Sequence, residues 1–91
     1  MIERKDLLNL NFYRYRKPFT GSVGNMRYRI EPVCDENKKP VALRLTVWPG
    51  PNAFDTTEDE LKESFEEEFS EETMEHFTEF LNSAAERMNR G

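Results

Sequence analysis

Residues 41–48 read VALRLTVW. Val41, Leu43, Leu45 and Val47 recur at period two, while Ala42, Arg44, Thr46 and Trp48 fill the alternate positions. With its β-branched and aromatic content, the segment is predicted to be a β-strand with one face in the core and the other in water. Pro49, Gly50 and Pro51 stop it, because proline lacks the N–H that a ladder needs and Pro-Gly-Pro is turn chemistry.

The same period runs through residues 26–33, MRYRIEPV, where Met26, Tyr28 and Ile30 point inward and Arg27, Arg29 and Glu31 outward. Residues 34–40, CDENKKP, are polar and short, so the two strands are predicted to form an antiparallel hairpin. After the Pro-Gly-Pro break, Thr57 to Glu60 spell TEDE, a capping-box pattern that starts a helix near Glu58. Residues 63–69 are ambiguous. Leu61, Phe65 and Phe69 lie four apart as on a helix, but Phe65 and Phe69 also share a strand face. Two strands alone make a marginal sheet and Ser70 is a good N-cap for a new helix, so the reading is a one-turn helix and then a third strand. From Glu71 to about Asn89, Met74, Phe77, Leu81, Ala84 and Met88 repeat at three and four, which predicts a helix laid over the sheet.

The first 25 residues are less regular. Residues 1–10 fit either a short helix or an extended arm. Residues 11–17, NFYRYRK, alternate aromatic and basic residues with Tyr13 and Tyr15 on one side, which reads as a short edge strand. Residues 18–25, PFTGSVGN, read as a loop in which Gly21 and Gly24 supply positive φ. The expected fold is therefore α+β: a single domain over residues 1–91, with an antiparallel meander of three to four strands covered on one face by the C-terminal helix.

Ninety-one residues allow one core. The amino terminus has no apolar run of signal-peptide length, and no stretch approaches the roughly 20 apolar residues of a membrane span. One cysteine, Cys34, excludes an internal disulfide. A cytoplasmic protein that does not enter membranes is the expectation. The net charge of −5 conceals two halves of opposite sign. Residues 1–50 carry ten basic against five acidic residues, and residues 51–91 carry three against thirteen. Such halves attract each other when folded, or present two partner surfaces.

PFTGS at 18–22, MRYRI at 26–30, TVWPGP at 46–51, TTEDELKE at 56–63 and FSEE at 69–72 occur in order. In these the chain, from about Phe12 to Leu81, resembles a group of small bacterial proteins with no established activity. The resemblance implies a free-standing small domain and carries no functional residues with it.

Chemistry is sparsely signalled. One Cys and one His do not make a zinc site, and the carboxylate clusters lack the alternating oxygen ligands and glycine of a calcium loop, so no metal and no cofactor is expected. A Cys34–His76 dyad has no third group to orient the base, and the expectation is a protein without catalytic residues. Two surfaces remain. The first is acidic: Glu58, Asp59, Glu60, Glu72, Glu75 and Glu79, suited to a protein partner with a basic surface, or to imitating nucleic-acid phosphates in the channel of a nucleic-acid enzyme. The second is the outward sheet face, where Arg27, Arg29, Arg44 and Trp48 could stack and neutralise single-stranded RNA. Overall negative charge argues against nucleic acid, and Glu66 and Glu68 on the third strand are expected to neutralise those arginines.

Overall fold

The computed structural model describes residues 2–50 and 52–89. Four strands, β1 (Phe19–Val23), β2 (Met26–Cys34), β3 (Pro40–Pro49) and β4 (Glu63–Glu68), form one antiparallel sheet in the order β1-β2-β3-β4. A short helix α1 (Leu10–Arg14) precedes the sheet and a long one, α2 (Glu71–Met88), closes the chain. The fold is the α+β meander with a helical cover.

The expected hairpin pairs Ile30 with Leu45 and Tyr28 with Val47, which puts Met26, Tyr28, Ile30, Leu43, Leu45 and Val47 on one buried face. Met74, Phe77, Leu81, Ala84 and Ala85 of α2 are buried in the same cluster. Phe65 of β4 joins it through an edge contact with Phe80 at 4.5 Å and a tilted contact with Phe77 at 6.4 Å. Ser70 caps α2 as expected, its hydroxyl accepting from the Thr73 N–H at 3.2 Å. Among the described residues no helix is long and apolar enough to cross a membrane.

Several expectations are corrected. Residues 11–17 are not an edge strand; Leu10–Arg14 is helical, started by Asn9, whose side chain accepts from the Phe12 N–H at 3.2 Å. The helix separates the two tyrosines that a strand would align: Tyr13 is fully buried and donates its hydroxyl to the Leu7 carbonyl at 2.5 Å, whereas Tyr15 is 75% exposed. Residues 18–25 are not one loop: after Pro18 come strand β1, over 19–23, and a two-residue turn at 24–25. Positive φ occurs at Gly24 (57°) and not at Gly21, which suits a type II′ hairpin with glycine first. Gly21 serves packing instead, since a Cβ there would stand 2.5 Å from the Tyr28 hydroxyl.

The capping box at Thr57 is absent. Thr57 gives its hydroxyl to the Ala53 carbonyl at 2.7 Å, and the following 3-10 turn, Asp59–Leu61, has no side-chain cap. The outward face of β3 is not uniformly wet: Thr46 is 2% exposed and Trp48 fully buried, because the β3–β4 connection folds back over them. Val41, expected on the core face, is 50% exposed at the far end of the strand.

The open alternative at the amino terminus resolves to a 3-10 turn, Arg4–Leu7, held to α2. Asn82 receives the Ile2 N–H at 2.8 Å and donates to the Ile2 carbonyl at 2.9 Å. Arg4 forms a two-pronged pair with Glu71, whose carboxyl is held below its usual range by that hydrogen bond. Asn89, at the other end of α2, accepts from the Asn25 N–H at 2.6 Å and donates to the Val23 carbonyl at 3.2 Å. Two asparagines, one within α2 and one at its end, thus fasten the chain's beginning and its first hairpin.

Candidate functional site

The sheet face turned away from α2 carries Arg27 and Arg29 from β2, Arg44, Thr46 and Trp48 from β3, and Ser64, Glu66 and Glu68 from β4. The register places Arg44 between Glu31 and Glu66. Its guanidinium donates to Glu66 Oε1 from Nε at 2.9 Å and from Nη2 at 2.5 Å, and to Glu31 Oε1 from Nη1 at 3.4 Å. These bonds, that to Glu66 foremost, raise the Arg44 pKa further. Arg29 reaches the other oxygen of Glu31 at 3.4 Å.

Neutralisation therefore occurs, but through different partners than the strand order alone suggests. Glu31, a neighbour within β2 and across to β3, takes most of the role expected of Glu68. Glu68 stands opposite Ala42, and neither it nor Arg27 has an ion pair among the described residues.

The aromatic part of this face is covered as well. Phe54, from the β3–β4 connection, meets Trp48 edge to face at 5.5 Å, and the Trp48 indole N–H donates to the Asn52 carbonyl at 2.8 Å. Arg29 lies 4.4 Å and Lys62 4.0 Å from the centre of the Phe54 ring. Base stacking on Trp48 requires an open ring face, and the side chain is wholly enclosed. A cleft of about 320 Å³ remains beside it, lined by Glu31, Arg44, Thr46, Phe54, Asp59, Lys62 and Ser64, with the Thr46 and Ser64 hydroxyls bonded at 2.9 Å. Its cations face carboxylates of the same cleft, Arg44 with Glu31 and Lys62 with Asp59, each at 3.4 Å. Sequence reasoning misses Phe54, whose one signal is to be an aromatic residue inside a polar connection.

The acidic residues do not form one field. Glu58, Asp59 and Glu60 lie on the β3–β4 connection, which folds over the outward sheet face. Glu72, Glu75 and Glu79 lie on α2, which covers the opposite face, and all six are exposed. On α2 they form a stripe directly behind the buried one, because residues three, four and seven apart share a helix face. Glu86 continues the stripe by another seven residues, so it spans about 21 Å at 1.5 Å per residue. Glu75 and Glu79 have no ion pair or hydrogen bond among the described residues.

His76 flanks the stripe. Its Nδ1 lies 3.0 Å from Glu67 Oε1 and its Nε2 4.0 Å from Glu72, and the hydrogen bond to Glu67, with the charges of Glu67, Glu72 and Glu79, raises its pKa above the ordinary value. Cys34 ends β2, and His76 is engaged with glutamates rather than with it. Among the described residues no group of three or more His, Cys, Asp or Glu side chains is arranged to hold a metal ion. A second, open cavity of about 700 Å³ borders the amino-terminal turn at Glu3, Arg4, Lys5, Leu8 and Asn9.

No family model, curated protein or solved structure matches the chain.

Proposed function

We propose that this is a non-enzymatic interaction module that engages a protein partner with a basic surface through the outward face of α2. One contrast carries the reading. The cations Arg29, Arg44 and Lys62 of the sheet face are engaged with Glu31, Glu66, Asp59 and Phe54 of the same fold, whereas Glu75 and Glu79 stand exposed between Glu72 and Glu86 with no ion pair or hydrogen bond among the described residues. A rigid helix with a line of carboxylates attracts cationic surfaces, and it raises association rates most at low ionic strength.

The test compares capture of partners from a bacterial lysate by the native chain, by Glu75→Lys/Glu79→Lys and by Glu58→Lys/Asp59→Lys. The reading expects a partner that is lost with the α2 pair, retained with the connection pair, and bound less tightly as salt rises. If double-stranded DNA displaces that partner, phosphate mimicry is its particular form. Tight binding of single-stranded RNA that disappears in Arg29→Ala would overturn the proposal and move function to the sheet face.

A further inference from the structure

The two edges of the sheet are unlike. β4 carries Glu63, Glu66, Glu67 and Glu68 in six residues, a charged edge of the kind that prevents strands from adding. β1, FTGSV, has no charge and no proline, and no strand among the described residues lies on its far side. Its hairpin loop has two residues, with Val23 paired to Met26, so hydrogen-bonded pairs fall at Val23, Gly21 and Phe19. The N–H and C=O groups of Thr20 and Ser22 therefore point away from β2, and both residues are exposed.

We propose that β1 pairs with β1 of a second copy, antiparallel and centred on Gly21, to form an eight-stranded sheet across a two-fold axis. The register is set by self-complementarity. Thr20 faces Ser22 of the other copy on each side of the axis, and the two positions exchange four ladder bonds. Gly21 then faces its own counterpart at a non-hydrogen-bonded position, where the two backbones approach most closely, about 4.5 Å between Cα atoms. A residue without Cβ suits that place, and here its inner side is filled by the Tyr28 ring. Phe19 meets Val23 of the second copy on the inner face, continuing the apolar layer to which both residues already belong.

Tyr28 supplies a second observation. The residue is only 5% exposed, its hydroxyl reaches the edge over Gly21, and it has no hydrogen-bond partner among the described residues. Across the axis the two hydroxyls come within reach of each other. Pairing β4 edges instead would oppose glutamate to glutamate, which destabilises. Because the two-fold axis stands perpendicular to the sheet, both copies of α2 lie on the same side. If the proposed function holds, the dimer presents two acidic stripes to one partner; the pairing itself does not depend on that reading.

The test is sedimentation equilibrium with amide hydrogen exchange at low and high protein concentration. Self-association is expected, with exchange at Thr20 and Ser22 slowing at least tenfold at high concentration while exchange along β4 does not change. Thr20→Glu/Ser22→Glu is expected to weaken the dimer at least tenfold, since glutamates then oppose each other across the axis, while each faces Arg29 or Arg27 within its own chain and the fold is retained. Thr20→Lys/Ser22→Glu should restore it by pairing opposite charges. A chain that stays monomeric at about 1 mM, or a dimer protected elsewhere than at Thr20 and Ser22, would overturn the proposal, as would a dimer indifferent to the two glutamates.

Discussion

Arg44 of β3 and Glu66 of β4 stand directly opposite each other, and the guanidinium holds one carboxylate oxygen with two nitrogens, at 2.5 and 2.9 Å. Both side chains are over 40% exposed, so the pair belongs to the modest class of cross-strand ion pairs rather than to the buried class. Glu66→Lys should therefore lower stability by about 1 kcal/mol, combining the lost pair with new repulsion. Glu68→Lys and Glu75→Lys should each change it by less than about 0.5 kcal/mol. Urea unfolding of the three variants decides this, and equal losses at positions 66 and 68 would refute the observed pairing.

Phe54 bridges Trp48, Arg29 and Lys62, reaching them from the middle of the β3–β4 connection. Phe54→Ala should cost about 1 to 3 kcal/mol, less than a fully buried phenylalanine because Phe54 is only partly enclosed. Trp48 is the single tryptophan, so its emission reports the cover directly. A red shift on substitution in a still folded chain is expected; unchanged emission would show that the connection does not shield the indole.

Leu45 is fully buried at the centre of the sheet, between Ile30 and Phe65. Leu45→Asp would bury a carboxylate with no partner, a cost of several kcal/mol against a total stability of about 5 to 13 kcal/mol for a chain of this length. Loss of the cooperative thermal transition is the expected outcome. A folded Leu45→Asp chain would mean that the register differs from the one described.

His76 has its pKa raised above 6.5, chiefly by hydrogen bonding to Glu67. A group whose folded pKa is raised favours the fold in its protonated form. Its contribution is thus fully present below about pH 6.5 and is lost as pH rises through the folded value. An NMR titration of the imidazole should give a midpoint above 6.5 that moves down in Glu67→Gln. A midpoint at or below the ordinary value in the native chain would exclude the contact in solution.

The acids of the candidate face are legible one by one, because a run of glutamates off the apolar stripe of a helix must face water. Their division into two groups on opposite sides of the sheet is not. That division follows from the path of the β3–β4 connection, which no spacing in residues 52–62 reveals.

Periodicity by itself determined β2, β3 and α2, where a buried face demands an unbroken run of apolar residues at one period. It also located β4 once Ser70 was read as a cap. Only the tertiary structure decided the rest. Residues 11–17 carry the alternation of a strand, yet Leu10–Arg14 is helical, the conformation in which Asn9 caps and Tyr13 reaches the Leu7 carbonyl. Gly21 has the spacing of a turn residue, yet the Tyr28 ring occupies the place of its missing side chain; Trp48 has the spacing of an exposed residue, yet Phe54 closes over it. At Gly21 and Trp48 the deciding contact joins residues distant enough in the chain, or placed on separate elements, that local spacing carries no trace of it.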